Sequence, residues 1–93
     1  MRASYLVCYD IGDPKRWRKI HKLMLAYGEP LQLSVFVCRL SSVEFEEMLG
    51  RVLGELHRTE DALAVANLGP QDSTEVRTFG RVKLEGSRRV VVI

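Results

Sequence analysis

The chain opens on an apolar segment in which Tyr5, Val7 and Tyr9 alternate with Leu6 and Cys8. Both faces of a strand over Ser4–Asp10 are therefore apolar, and a strand of that kind is normally covered on both. Asp13-Pro14 then predicts a helix start. A carboxylate can cap the first amides, and proline suits the first helical position because its missing N–H is not needed there. Trp17, Ile20, Met24 and Tyr27, spaced 3, 4 and 3, form one apolar stripe with Leu23 beside it, and Gly28 is the predicted stop.

Leu31–Leu40 is a second β region, either one bent strand or a very short hairpin. Ser41 and Glu44 have capping-box spacing. The helix they begin is predicted to run to about His57, with Phe45, Met48, Leu49, Val52 and Leu56 on its apolar stripe. Glu44, Glu46 and Glu47 suit the positive end of the helix dipole. Ala62–Leu68 is a third β region, and Gly69-Pro70-Gln71-Asp72-Ser73 is a loop. Glu75–Leu84 alternates, with Val76, Thr78, Val82 and Leu84 on one face and Arg77, Phe79, Arg81 and Lys83 on the other. Val90–Ile93 is a last short strand.

The order β-α-β(β)-α-β-β predicts one α+β domain over residues 1–93, a ferredoxin-like βαββαβ sandwich with an additional C-terminal strand. Two helices would lie on one face of an antiparallel sheet, leaving the other face open. A second copy of the chain is the expected cover, giving a homodimer. Residues from about 75 to 93 read as a C-terminal extension that pairs with the partner protomer's sheet edge.

Composition changes this picture little. A 93-residue chain buries only roughly 60–65% of its unfolded surface, so support from a partner is reasonable. No apolar run approaches the roughly 18 residues of a membrane span, and the first residues lack a secretory-signal pattern, so no membrane association and a cytoplasmic location are expected. Cys8 and Cys38 read as free thiols in strands. His21 and His57 read as solvent-exposed helix residues and match no metal-site spacing.

Charge is more informative. The net charge is only +2, yet Lys15, Arg16, Arg18, Lys19 and Lys22 crowd the first helix without one acid. Arg77, Arg81, Lys83, Arg88 and Arg89 form a second basic segment near the end. Such segments can present a basic face to a polyanion, and Arg16, Arg18, Lys19, Arg77 and Arg81 are the candidate nucleic-acid contacts.

Asp10 is the candidate for chemistry. It ends the first strand beside the basic helix. Mg2+ keeps several waters and binds through one or two carboxylates. One Asp10 would hold it weakly, whereas a twofold axis through the open sheet face would bring two copies of Asp10 together. A metal held there can lower the pKa of a bound water and polarise a phosphoryl oxygen.

Tyr9-Asp10-Ile11, followed by Asp13 and a basic helix ending in Tyr27-Gly28, resembles the opening of the small CRISPR-associated nucleases, the Cas-two family. Leu31-Gln32-Leu33-Ser34-Val35-Phe36-Val37-Cys38-Arg39-Leu40 resembles that family's Gln-x-Ser-Val-Phe-Glu signature, with Val37 in place of the final Glu. Trp17 and Pro30 stand where many members carry basic residues. The resemblance is sharp over residues 4–40 and weak after about residue 68. It implies a ferredoxin-like homodimer in which Asp10 meets its symmetry mate and binds Mg2+ or Mn2+. Metal-dependent hydrolysis of RNA or double-stranded DNA follows from it, as does a place in spacer acquisition bridging CRISPR integrase subunits. Tyr9, Ser34 and Phe36 would support the site. The alternative is a non-catalytic DNA-binding scaffold with the same partners.

Overall fold

The structure, a computed structural model, describes residues 2–69, 76–80 and 90–92. Six strands and two helices follow in the order β1 (Arg2–Asp10), α1 (Pro14–Leu25), β2 (Glu29–Gln32), β3 (Val35–Ser41), α2 (Ser42–Glu55), β4 (Ala62–Asn67), β5 (Val76–Gly80) and β6 (Val90–Val92). The strands form one sheet in the order β2-β3-β1-β4-β5-β6. All neighbours are antiparallel except β5 and β6, which are parallel. The strand β1, first in the chain, thus lies between β3 and β4, and each helix carries the chain across the sheet.

Alternation along the strands sorts the faces. Tyr5, Val7 and Tyr9 of β1 are buried, as are Phe36, Cys38 and Leu40 of β3 and Leu63 and Val65 of β4. Register places Tyr5 opposite Cys38 and Val7 opposite both Phe36 and Val65, so these groups share one face. Ile20 and Met24 of α1 join the same core, together with Phe45, Met48, Leu49 and Val52 of α2. Both helices therefore pack on that face. On the other face Leu6, Cys8, Val35, Val37, Ala64 and Ala66 are half-buried, and no described helix lies over them.

The helix boundaries follow local chemistry. Asp13 Oδ2 accepts the Arg16 N–H at 3.0 Å, and Pro14 occupies the first turn. Ser41 and Glu44 form the complete capping box, Ser41 Oγ accepting from Glu44 N at 3.1 Å and Glu44 Oε1 from Ser41 N at 2.9 Å. Both helices stop two residues before the predicted ends. Gly28 closes the first through its N–H, donated to the Met24 carbonyl at 3.0 Å. A Cβ on Gly28 would collide with the Val37 carbonyl and the Cys38 sulfur, so glycine is required by the close approach of α1's end to β3.

The segment 31–40 is a tight hairpin rather than one bent strand. β2 begins earlier than the apolar pattern suggests, at Glu29, because it is an edge strand and entirely exposed. Pro30 is tolerated there since an edge strand leaves one side of its backbone unpaired, and register shifts between Pro30 and Gln32. At the other end β5 pairs with β4 and β6 with β5 within the same chain. Residues 81–89 and Ile93, which include the predicted continuation to Leu84, lie outside the described residues.

One buried carboxylate joins the two loops at the end of the sheet where β1 leaves and β4 enters. Asp61 is fully buried. Its Oδ1 accepts the Gly12 N–H at 2.8 Å and its Oδ2 the His57 N–H at 2.8 Å. Arg16 donates Nε to Oδ2 at 2.9 Å and a terminal nitrogen to Oδ1 at 3.2 Å. The same guanidinium reaches Glu60 at 2.9 Å. Burial by itself would raise the Asp61 pKa. The guanidinium and the two backbone N–H groups outweigh it and hold the carboxyl below the usual carboxylate range. Gly80, at φ +89°, lies directly over the Asp61 carbonyl, where a side chain has no room.

This geometry carries two stability predictions. Asp61→Asn keeps the shape but removes the charge that organises four donors, and should cost about 3 kcal/mol. A carboxyl whose folded pKa is depressed contributes stability above its unfolded value and loses it as pH falls through the folded one. The melting-temperature gap between wild type and Asp61→Asn should therefore be constant at neutral pH and shrink below about pH 4. A gap that widens with acid would refute the assignment. Gly28→Ala should cost about 1–3 kcal/mol in urea denaturation, since a methyl there must displace β3.

Candidate active site and nucleic-acid surface

Asp10 is the last residue of β1, paired in register with Ala62 of β4. Alternation turns its exposed side chain to the open face, in line with Leu6 and Cys8. It borders a small cavity of about 160 Å3 together with Cys8, Tyr9, Ala62, Leu63 and Ala64. Among the described residues no three His, Cys, Asp or Glu side chains gather as a metal cluster. Asp13 is engaged in capping, and Asp61 and Glu60 in the contact with Arg16. Asp10, exposed at the end of β1, lies on the open face. Cys8 lies on that face and Cys38 on the helix face, both as free thiols. Burial pushes the Cys38 thiol up to about 11 and raises that of Cys8, so neither is a ready thiolate.

Behind Asp10 the side chains form a connected cluster. The Tyr9 hydroxyl and His21 Nδ1 share a hydrogen bond of 3.0 Å. His21 stacks on Trp17, ring centroids 4.5 Å apart and 13° from parallel. Trp17 Nε1 donates to Ser34 Oγ at 3.2 Å. Phe36 meets the edge of His21 at 5.4 Å and stacks on Tyr9 at 6.1 Å. The Tyr9 N–H donates to the Ser34 carbonyl at 3.0 Å, extending the β1–β3 pairing into the hairpin turn. Burial pushes the Tyr9 phenol up to about 12, so it remains a neutral hydrogen-bonding group across the physiological range. Tyr9, Ser34 and Phe36, named from the sequence as supporting residues, thus do lie together. Ser34 bonds an indole rather than backbone through its side chain.

The basic residues separate. Arg18 and Lys19 are exposed on α1, and Arg18 borders the loop residues Ile11 and Gly12 immediately after Asp10. Arg16 sits on the same helix but is engaged with Asp61 and Glu60, which hold its charge and raise its pKa further. Arg77 lies on the helix face of the sheet, 3.3 Å from Glu46 and over the rings of Phe45 and Phe79 at 5.9 and 5.5 Å. It is therefore on the face opposite Asp10. Arg81 lies outside the described residues.

Two residues of this region escape a reading by pattern. His21 is half-buried and hydrogen-bonded, not the solvent-exposed helix residue its polarity suggests. Its signal was its place four residues after Trp17, on the same helix face. Asp61, within a polar run between α2 and β4, gave no signal of burial. Its value comes from donors at Gly12 and Arg16, far back in the chain, joined by the nearby His57 N–H.

A sequence model of the family described as CRISPR associated protein Cas2 matches residues 3–76. The chain is 36% identical over 92 residues to a protein of Rhodospirillum rubrum named CRISPR-associated endoribonuclease Cas2 1, covering 97% of this chain and 90% of that one. It is 41% identical over 92 residues to a Thermus thermophilus protein named CRISPR-associated endonuclease Cas2 2, covering 99% and 98%. A crystal structure of a hypothetical protein from Thermus thermophilus superimposes with a TM-score of 0.71 at 32% identity, covering 94% of each chain. The extent of these matches, together with the placement of Tyr9-Asp10 and the Ser34–Phe36 segment, shows that this chain belongs to the Cas2 family of CRISPR-associated proteins.

Proposed function

We propose that this protein is a metal-dependent endonuclease of the CRISPR system, cutting phosphodiester bonds in RNA or double-stranded DNA as a homodimer. The observation that carries this reading is the position of Asp10. Its exposed carboxylate ends the central strand, on an apolar sheet face that no described helix covers, beside a helix with an exposed basic side. The strand order β2-β3-β1-β4 with two crossing helices supports a ferredoxin-like sandwich. Relatives named as endoribonuclease and endonuclease support the reaction class and leave RNA and DNA both as substrates.

A second copy of the chain is the natural cover for Leu6, Cys8, Val35, Val37, Ala64 and Ala66. Packing sheet on sheet would bring the partner subunit's Asp10 toward its counterpart. Mg2+ or Mn2+ suits such a pair, because a hydrated hard cation needs only one or two carboxylates from protein. When bound, the ion supplies Lewis-acid stabilisation and an activated water. The chain's own residues do the rest. Asp10 holds the ion. Arg18 and Lys19 position the phosphate backbone. Tyr9, His21, Trp17 and Ser34 fix the end of β1 against the hairpin turn, so that the carboxylate is held before substrate arrives. In the same reading the protein is cytoplasmic and serves spacer acquisition as the dimer that bridges CRISPR integrase subunits. That no three His, Cys, Asp or Glu gather among the described residues also favours a second reading, a DNA-holding scaffold with the same partners and no cleavage of its own.

Asp10→Asn decides between them. The nuclease reading expects Mg2+-dependent cleavage of RNA or duplex to fall to the level seen with EDTA, with the dimer intact by sedimentation. Cleavage unchanged in that variant removes Asp10 from the reaction, and wild-type protein that binds but never cuts leaves the scaffold. Arg18→Glu with Lys19→Glu should weaken duplex binding and flatten its salt dependence, the slope of log K against log salt falling by about 0.9 for each phosphate that the helix no longer neutralises. An unaltered slope would show that α1 does not face the nucleic acid.

A further inference from the structure

Trp17 is the sole tryptophan of the chain, and its surroundings do more than pack it. One indole face is covered by His21 at 4.5 Å, and the indole N–H is held by Ser34 Oγ at 3.2 Å. His21 is in turn held by the Tyr9 hydroxyl at 3.0 Å and by the ring of Phe36. The indole therefore has a set orientation with no ligand present. Its remaining surface lines a shallow cavity of about 480 Å3, shared with Ile11, Gly12, Pro14 and Arg18. Two of its lining residues, Ile11 and Gly12, directly follow Asp10 in the chain. Among the described residues its lining combines the apolar Ile11 and Pro14, the Trp17 indole and the Arg18 guanidinium, with no acid.

We propose that this cavity is a nucleobase subsite, in which one unpaired base of the nucleic acid stacks against Trp17 while Arg18 meets the adjoining phosphate. The proposal rests on the nucleic-acid reading above and adds to it a preference. A base inside a duplex already has both faces stacked, so the subsite takes only a base from a single strand or one flipped out of a helix. Three features select a base over an aliphatic or peptide ligand. The platform is planar, the rim is cationic, and the neighbouring exposed side chains on α1 are Lys15, Lys19 and Lys22. The cavity has the size of small-ligand sites in general, roughly 300–1,000 Å3. Pre-orientation by Ser34 and His21 lowers the ordering cost of binding.

The sole tryptophan provides the readout. The intact protein is titrated at low salt with a ten-nucleotide oligouridylate and with a backbone of the same length lacking bases. Stacking predicts quenching of Trp17 emission by the first only, and an affinity roughly fivefold or more above that of the abasic strand. A blunt, fully paired duplex should bind through its phosphates without quenching. Trp17→Leu should bind the uridylate and the abasic strand alike, and Trp17→Phe should keep part of the difference. Circular dichroism checks that both variants fold. If Trp17→Leu does not fold, the abasic comparison and Trp17→Phe decide alone. Equal binding of base-bearing and abasic strands with unmoved fluorescence overturns the subsite while leaving phosphate binding intact. Quenching by the paired duplex overturns the preference for unpaired bases. Failure of every strand to bind removes the nucleic-acid reading along with it.

Discussion

The Asp61 carboxylate is the constraint on which the functional end of the molecule depends. A fully buried charge is tolerable only when its lone pairs are filled, and here a guanidinium and two backbone amides fill them. The donors come from the β1–α1 loop, from the first turns of α1 and from the segment after α2. One side chain therefore sets where the chain turns after Asp10 and where β4 begins. It also explains why Arg16, in the first turn of α1, belongs to the architecture. A buried carboxylate left without its guanidinium would be far more costly than the absence of one surface cation from a phosphate.

The second constraint is the position of β1 between β3 and β4. A central strand has no backbone groups to spare for solvent, so its alternation alone decides what each side chain meets. Odd residues from Tyr5 to Tyr9 build the helix-side core, and even residues carry the open face that ends in Asp10. This geometry separates packing from chemistry. Tyr9 lies in the core and Asp10 lies outside it, although they are neighbours in the chain. The cluster of Tyr9, His21, Trp17, Ser34 and Phe36 then connects the two roles, tying the end of β1 to α1 and to the hairpin turn. Precision at an exposed carboxylate is thereby supplied by buried neighbours.

Much of this was legible in the residue order because the signals are local. Asp13-Pro14 and the Ser41–Glu44 box mark helix starts through contacts spanning three residues, and both are formed as the spacing predicts. The apolar stripes of both helices and the two-faced character of β1 are likewise periodic properties of short windows. The resemblance to the Cas-two family rested on the same stretch, residues 4–40, that the structure folds into β1, α1 and the hairpin. Exposed and edge segments were read less well. β2 has no buried face, so nothing in its apolar pattern marks Glu29 and Pro30 as strand residues.

By itself the sequence determined the capping of both helices, the alternation of β1 and the resemblance to the Cas2 family, and left the element order open only at residues 31–40. These follow from periodicity and from short motifs whose physics is contained within a few residues. Only the tertiary structure decided that Arg16 is held by Asp61, that Arg77 lies on the face away from Asp10, and that His21 is built into a stack with Trp17. Arg16 meets Asp61 across 45 residues, Arg77 meets Glu46 across 31, and His21 gains the Tyr9 hydroxyl across 12. A charge, or a ring nitrogen, has the same local signature whether it meets water or a buried partner. The fold alone supplies the partner.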